Sequence, residues 1–123
     1  MNPPLGRHTI AEFADCDATC LADLEHITRS MLEAARISGA RVVTQSFHHF
    51  SPLGISGVVI ISESHLAIHT WPEHRFAAVD FFTCVNRVEP ARALEHLKAA
   101  LKAGSLQVLH LERGPLRVQG NPL

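Results

Sequence analysis

The chain has 123 residues and a formal net charge of −1 at pH 7; 46% of it is hydrophobic and 19% charged. That length and apolar share fit one compact domain with a real core and exclude a disordered chain. The near-neutral balance gives no reason to expect nucleic acid or an anionic membrane as partner, and no apolar run approaches the roughly 20 residues of a membrane span.

The opening residues, Met1 to Arg7, lack a signal-peptide hydrophobic stretch. With an odd number of cysteines (Cys16, Cys20, Cys84), this predicts a cytoplasmic protein whose thiols stay reduced. Residues 7–13 read as a strand. Leu21, Leu24, Ile27, Met31, Ala34 and Ala35 follow helical spacing, with Asp17 as N-cap and Gly39 as stop. Residues 41–50 read as a strand ending in Phe47-His48-His49-Phe50, and Ser51 to Gly54 as a turn. The β-branched run Gly57 to Ile61 is a buried strand, followed by strands at His65 to Thr70 and Phe76 to Val85. Pro90 suits the first turn of a second helix, whose Leu94, Leu97 and Leu101 form a stripe before Gly104. Leu106 to Leu111 closes the chain's regular structure.

Nothing repetitive or linker-like divides the sequence, so residues 1–123 form a single domain. The predicted class is α+β: a two-layer protomer of order βαβββαβ, a mostly antiparallel sheet with two helices on one face. Such a sheet leaves its other face bare, which predicts a symmetric dimer packed sheet to sheet.

Strand parity places the polar side chains. His65, Ala67 and His69 share one face of their strand; Ala78, Asp80, Phe82 and Cys84 share one face of the next. Ser64 falls at the turn between two strands, preceded by Glu63. A serine there can attack the Glu63 carbonyl and convert the peptide to an ester. Removal of the Ser64 α-proton then drives β-elimination, and hydrolysis of the dehydroalanine leaves a pyruvoyl group and ammonia. These steps need a polar partner at the scissile carbonyl and a base at Cα, residue types that Ser56 and His69 supply. A pyruvoyl carbonyl forms a Schiff base with an amine substrate and accepts the electrons of a departing carboxylate. A thiol such as Cys84 suits reprotonation at carbon. Each of these residues also has an ordinary structural use: a turn serine, a hydrogen-bonded strand histidine, a small buried cysteine. Spacing alone leaves both readings open. Cys16 and Cys20 lack a second ligand pair, and His48 and His49 point to opposite faces, so no metal site is predicted.

Several blocks weigh the balance. Leu5-Gly6-Arg7-His8, Ala11-Glu12-Phe13, Phe47 to Pro52, Gly54 to Val59, Ile61 to Glu73, Ala77 to Asp80 and Phe82-Thr83-Cys84 together resemble the prokaryotic S-adenosylmethionine decarboxylase proenzymes over nearly the whole chain. The resemblance implies self-cleavage between Glu63 and Ser64, giving a β chain 1–63 and a pyruvoyl-bearing α chain 64–123. It implies Ser64 as pyruvoyl precursor, His69 as processing base, Ser56 as processing partner and Cys84 as proton donor. It matches Phe50 to an aromatic that stacks on adenine and Glu73 to a carboxylate that holds the ribose hydroxyls. The implied reaction converts S-adenosylmethionine to its decarboxylated form plus carbon dioxide, for spermidine synthesis, in a homodimeric αββα sandwich with no metal. His74-Arg75-Phe76 departs from the Tyr-Gly-Tyr usual in relatives, and Val85 from a glycine. The first departure adds positive charge beside Glu73, unfavourable to a positive sulfonium, so substrate choice stays open: the alternative on this scaffold is a pyruvoyl-dependent arginine or ornithine decarboxylase, and the alternative of another class is a non-catalytic nucleoside-binding or partner-binding relative.

Overall fold

The computed structural model describes residues 4–62, 64–84 and 88–114. Glu63 and Val85 lie outside the described residues. The elements are β1 (Gly6–Ala14), α1 (Ala18–Leu21), α2 (Leu24–Ile37), β2 (Val42–His49), β3 (Ile55–Ile61), β4 (Ser64–Trp71), a 3-10 turn (Pro72–His74), β5 (Phe76–Thr83), α3 (Pro90–Ala100) and β6 (Ser105–Arg113). Six strands form one antiparallel sheet in the order β2-β3-β4-β5-β1-β6. The α+β, two-layer expectation holds. The strand count in βαβββαβ does not: four strands, not three, separate the main helices. The four runs read individually as strands at 41–50, 57–61, 65–70 and 76–85 all form, so the order βαβββαβ is one strand short.

The helical start also differs. Asp17 caps only the four-residue α1, its carboxylate accepting from Thr19 N at 2.8 Å and Cys20 N at 3.2 Å. The long helix begins later, where Asp23 accepts from His26 N at 3.1 Å. Two Asp caps six residues apart divide the apolar stripe that spacing alone reads as one helix. Ile27, Met31, Ala34 and Ala35 of α2 and Ala93, Leu94 and Leu97 of α3 are buried against the sheet.

Alternation then sorts the strands. Thr9, Ala11 and Phe13 of β1, Leu66, Ile68 and Thr70 of β4, and Ala77, Val79 and Phe81 of β5 are buried on the helix side. Each fully buried Leu, Ile or Phe contributes about 1.5–3 kcal/mol. Phe47 lies flat over Gly57 on the adjacent strand, where an added Cβ would stand 1.9 Å from the ring. Buried Thr70 stitches three elements: its hydroxyl donates to Leu21 O at 2.9 Å and accepts from Ile55 N at 3.0 Å. That fixes the backs of β3 and β4 directly behind Ser56 and His69.

The other face has no helix over it among the described residues. It presents Ile60, Leu109 and Leu111, all at least 38% exposed, beside Ile10, Val58 and Ala67. Among the described residues no helix is long and apolar enough to cross a membrane.

Candidate active site

Ser56 of β3 stands directly across from His69 of β4. Ser56 Oγ and His69 Nδ1 share a hydrogen bond of 2.7 Å, with the proton placed by the imidazole tautomer. The bond turns the other ring nitrogen outward on an exposed histidine, which is what a base for an incoming group requires. A cavity of about 260 Å³ opens here, lined by Phe50, Leu53, Ser56, His69, Trp71 and Glu73 among others. Phe50 N donates to Gly54 O at 2.8 Å, closing the short loop that carries the ring. The His48 ring meets Phe50 edge-on, 4.5 Å between centroids, and leaves Phe50 half exposed. Trp71 packs against Phe76 at 5.7 Å and closes the β4–β5 hairpin whose tip bears the exposed Glu73.

Ser64 belongs to a second group of side chains. It begins β4, paired with Ile61 and Thr83, and its φ of 149° is a backbone conformation that L-residues rarely adopt. Ser64 Oγ lies 3.5 Å from His65 Nδ1. Cys84 follows the end of β5 one residue past Thr83, Ser64's partner, and is exposed. Behind them His65 stacks on Phe82 at 5.8 Å, and His8 meets Phe82 edge-on at 5.7 Å. The Arg113 guanidinium lies 5.8 Å from the Phe82 centroid. His8 Nε2 is 3.7 Å from Asp80 Oδ1, beyond hydrogen-bond reach.

Thus Ser56, His69, Phe50 and Glu73 come together, and Ser64 pairs with Thr83, the residue before Cys84, but the two groups are apart. Five residues of extended strand separate Ser64 from His69, about 16 Å at a rise of about 3.3 Å each. Within one chain His69 cannot reach the Ser64 Cα. Sequence reasoning did not single out Trp71, Leu53 or Thr70 beside the first group, or His8 and Arg113 beside the second. Parity already put Phe82 on the face of Cys84, and the β4–β5 register adds His65 opposite Phe82. His8 and Arg113 join them only because β1 inserts between β5 and β6.

The remaining cysteines are not part of either group. Burial pushes the Cys16 thiol up to about 11, and desolvation raises Cys20 as well. Neither is a thiolate near neutral pH, and Cys84 is the exposed thiol of the three. Among the described residues no group of three or more His, Cys, Asp or Glu side chains is placed to hold a metal ion.

The sequence profile described as S-adenosylmethionine decarboxylase matches residues 7–114. A protein of Acidithiobacillus ferrooxidans named S-adenosylmethionine decarboxylase proenzyme is 50% identical over 118 residues, covering 96% of this chain and 89% of its own. The protein of that name from Thermotoga maritima is 56% identical over 110 residues, 89% of this chain and 85% of its own. The crystal structure of the adenosylmethionine decarboxylase from Aquifex aeolicus superposes with a TM-score of 0.85 at 30% identity, over 98% of this chain and all of that one.

Proposed function

The chain belongs to the S-adenosylmethionine decarboxylase family, and from that premise we propose that it is a self-cleaving enzyme that decarboxylates S-adenosylmethionine, a step toward spermidine. The observation that carries the reading is the disposition of β4: a serine in rarely adopted backbone at one end, and an intact Ser56–His69 pair at the other. Strain held at one residue is a recurrent mark of reacting positions.

The residues fit a pyruvoyl group made from Ser64. That residue starts β4, where a cut in the backbone between residues 63 and 64 leaves the pairing of β4 with β3 and β5 in place. In processing, Ser64 Oγ attacks the Glu63 carbonyl and the peptide becomes an ester. His69 takes the Ser64 α-proton, and elimination frees Glu63 as a carboxylate. Water then enters and ammonia leaves. Ser56 holds the His69 tautomer and orients the ring. Once formed, the pyruvoyl group supplies a carbonyl that binds the substrate amine and takes up the electrons released with carbon dioxide. Cys84 holds the proton that returns to carbon. Phe50 offers a π-face to adenine, worth about 1 kcal/mol beyond burial. Glu73 accepts hydrogen bonds from the ribose hydroxyls.

The separation along β4 requires a second copy. A two-fold pairing of open face on open face lays β4 against its partner's sheet, so that Ser64 and Cys84 of one protomer meet His69 and Ser56 of the other. The resulting αββα sandwich buries the exposed Ile60, Leu109 and Leu111. We place the enzyme in the cytoplasm, where a reducing environment keeps the three cysteines as thiols.

A denaturing gel and a carbon dioxide assay test the reading together. Two fragments split at residues 63 and 64, with release from S-adenosylmethionine, are expected. A single uncut band, or turnover of arginine or ornithine instead, overturns it. The Arg75 charge, which would repel a substrate sulfonium, is turned away from the site to the backbone carbonyls of Cys16 and Asp15.

Three variants separate the roles. Cys84→Ala is expected to cleave appreciably yet lose about 10²-fold or more in kcat, the range for a missing general acid. Full turnover in a processed Cys84→Ala sample rules out the role. Glu73→Gln and Phe50→Ala are expected to cleave normally and raise KM about tenfold, the scale of a lost hydrogen bond to a charged group or of a lost aromatic contact. Unchanged KM in both removes them from the nucleoside site.

A further inference from the structure

We propose that Arg75 is a positioning residue for Glu73, clamping the hairpin tip so that the carboxylate faces the substrate ribose; the inference rests on the nucleoside-binding reading of Glu73. Arg75 follows the Pro72–His74 turn with φ 52°, a left-handed backbone that glycine adopts most easily. A bulky residue there needs a compensating interaction, and the structure supplies one. Arg75 Nε donates to Cys16 O at 2.8 Å, and Nη2 approaches Asp15 O at 3.4 Å. Cys16 N donates back to Arg75 O at 3.0 Å, while Arg75 N closes the turn on Pro72 O at 3.0 Å.

The receiving segment is itself fixed. Gly104 N donates to Ala14 O at 2.9 Å and Asp15 O at 3.1 Å, and Asp17 N donates to Leu101 O at 3.0 Å. Residues 14–17 are thereby anchored to the exit of α3. Among the described residues, every hydrogen bond that ties the turn to another element passes through Arg75. Glu73 is exposed and, apart from this clamp, rides on a four-residue loop. The guanidinium therefore acts on the site through backbone, with its charge committed to two carbonyls and not to the cavity. A loop so fixed presents its carboxylate without the ordering cost that a free hairpin tip meets on binding.

The test uses the mature protein and two probes, adenosine and 2′,3′-dideoxyadenosine, whose binding is measured by calorimetry. Arg75→Gly keeps the left-handed backbone and removes the guanidinium; Arg75→Lys keeps the charge without the planar fork. Arg75→Gly is expected to weaken adenosine about tenfold while leaving the dideoxy compound within about twofold, with Arg75→Lys between. KM for S-adenosylmethionine should rise in parallel while kcat and cleavage hold. In a Glu73→Gln background the same Arg75→Gly change should add nothing, because its effect runs through Glu73. Equal weakening of both probes, or a full further loss in Glu73→Gln, overturns the proposal and leaves Arg75 a general support of the fold. An intact adenosine preference in Arg75→Gly overturns it alone. No preference for adenosine in the unaltered protein overturns the ribose role of Glu73, and the Arg75 proposal with it.

Discussion

A Ser64→Ala chain is expected to stay whole on a denaturing gel and to release no carbon dioxide from S-adenosylmethionine. The expected effect is total, because one oxygen serves both stages. Without Oγ there is no nucleophile for the Glu63 carbonyl, no ester, and no leaving group on Cβ for the elimination. Without the elimination there is no carbonyl at residue 64 to bind the substrate amine. The fold should survive, since among the described residues the Ser64 side chain's one polar contact is at 3.5 Å to its neighbour His65, and Ser64 is only partly buried. Mass spectrometry of the unaltered protein should place a pyruvoyl N-terminus on the fragment beginning at residue 64. Cleavage in Ser64→Ala at the usual rate would remove Ser64 from the chemistry.

The second large effect is expected at His69, and it reports on assembly as well as on chemistry. His69→Ala should stall before elimination, leaving uncut chain together with any ester that has formed. Hydroxylamine, which cuts esters, should split that fraction into the two fragments. Neither Ser64→Ala nor His69→Ala dimers should mature alone. Mixing the two and letting subunits exchange is expected to restore cleavage. In a mixed two-fold dimer one site carries both defects and the other carries neither. Random exchange then leaves about a quarter of all sites intact. The prediction follows from the roughly 16 Å that extended backbone puts between Ser64 and His69. No rotamer of a histidine spans that distance. Absence of any recovery in a mixture shown to contain mixed dimers would argue for a site completed within one chain, as would a fully active monomer.

The local structure was legible where one residue type has one physical use. Pro90 opening α3 and the β-branched run before Ile61 were placed by rules that need only neighbours in sequence. Parity grouped His65 with His69 on β4 and Asp80 with Phe82 on β5, and the structure sets both groups on the bare face. The helix start failed because Asp17 and Asp23 both cap well, and choosing between them depends on where the chain must turn back over the sheet. Similarly, the left-handed Arg75 reads in sequence as a charge beside Glu73. Only the carbonyls of Asp15 and Cys16, 60 and 59 positions away, show where that charge goes.

Residue chemistry alone determined that Ser64 has a hydroxyl behind a carbonyl, that His69 and Ser56 are suited to proton transfer, and that Cys84 is a thiol on the same strand face as Phe82. These follow from composition, spacing and alternation, which are properties of a chain before it folds. Which of them touch was decided by the tertiary structure. Antiparallel register set Ser56 against His69 at 2.7 Å, and the same register carried Ser64 to the far end of β4, against Thr83. Insertion of β1 between β5 and β6 brought His8 and Arg113 to Phe82 from opposite ends of the sequence. Long-range pairing is fixed by burying one face of six strands at once, and no local stretch of sequence contains that constraint.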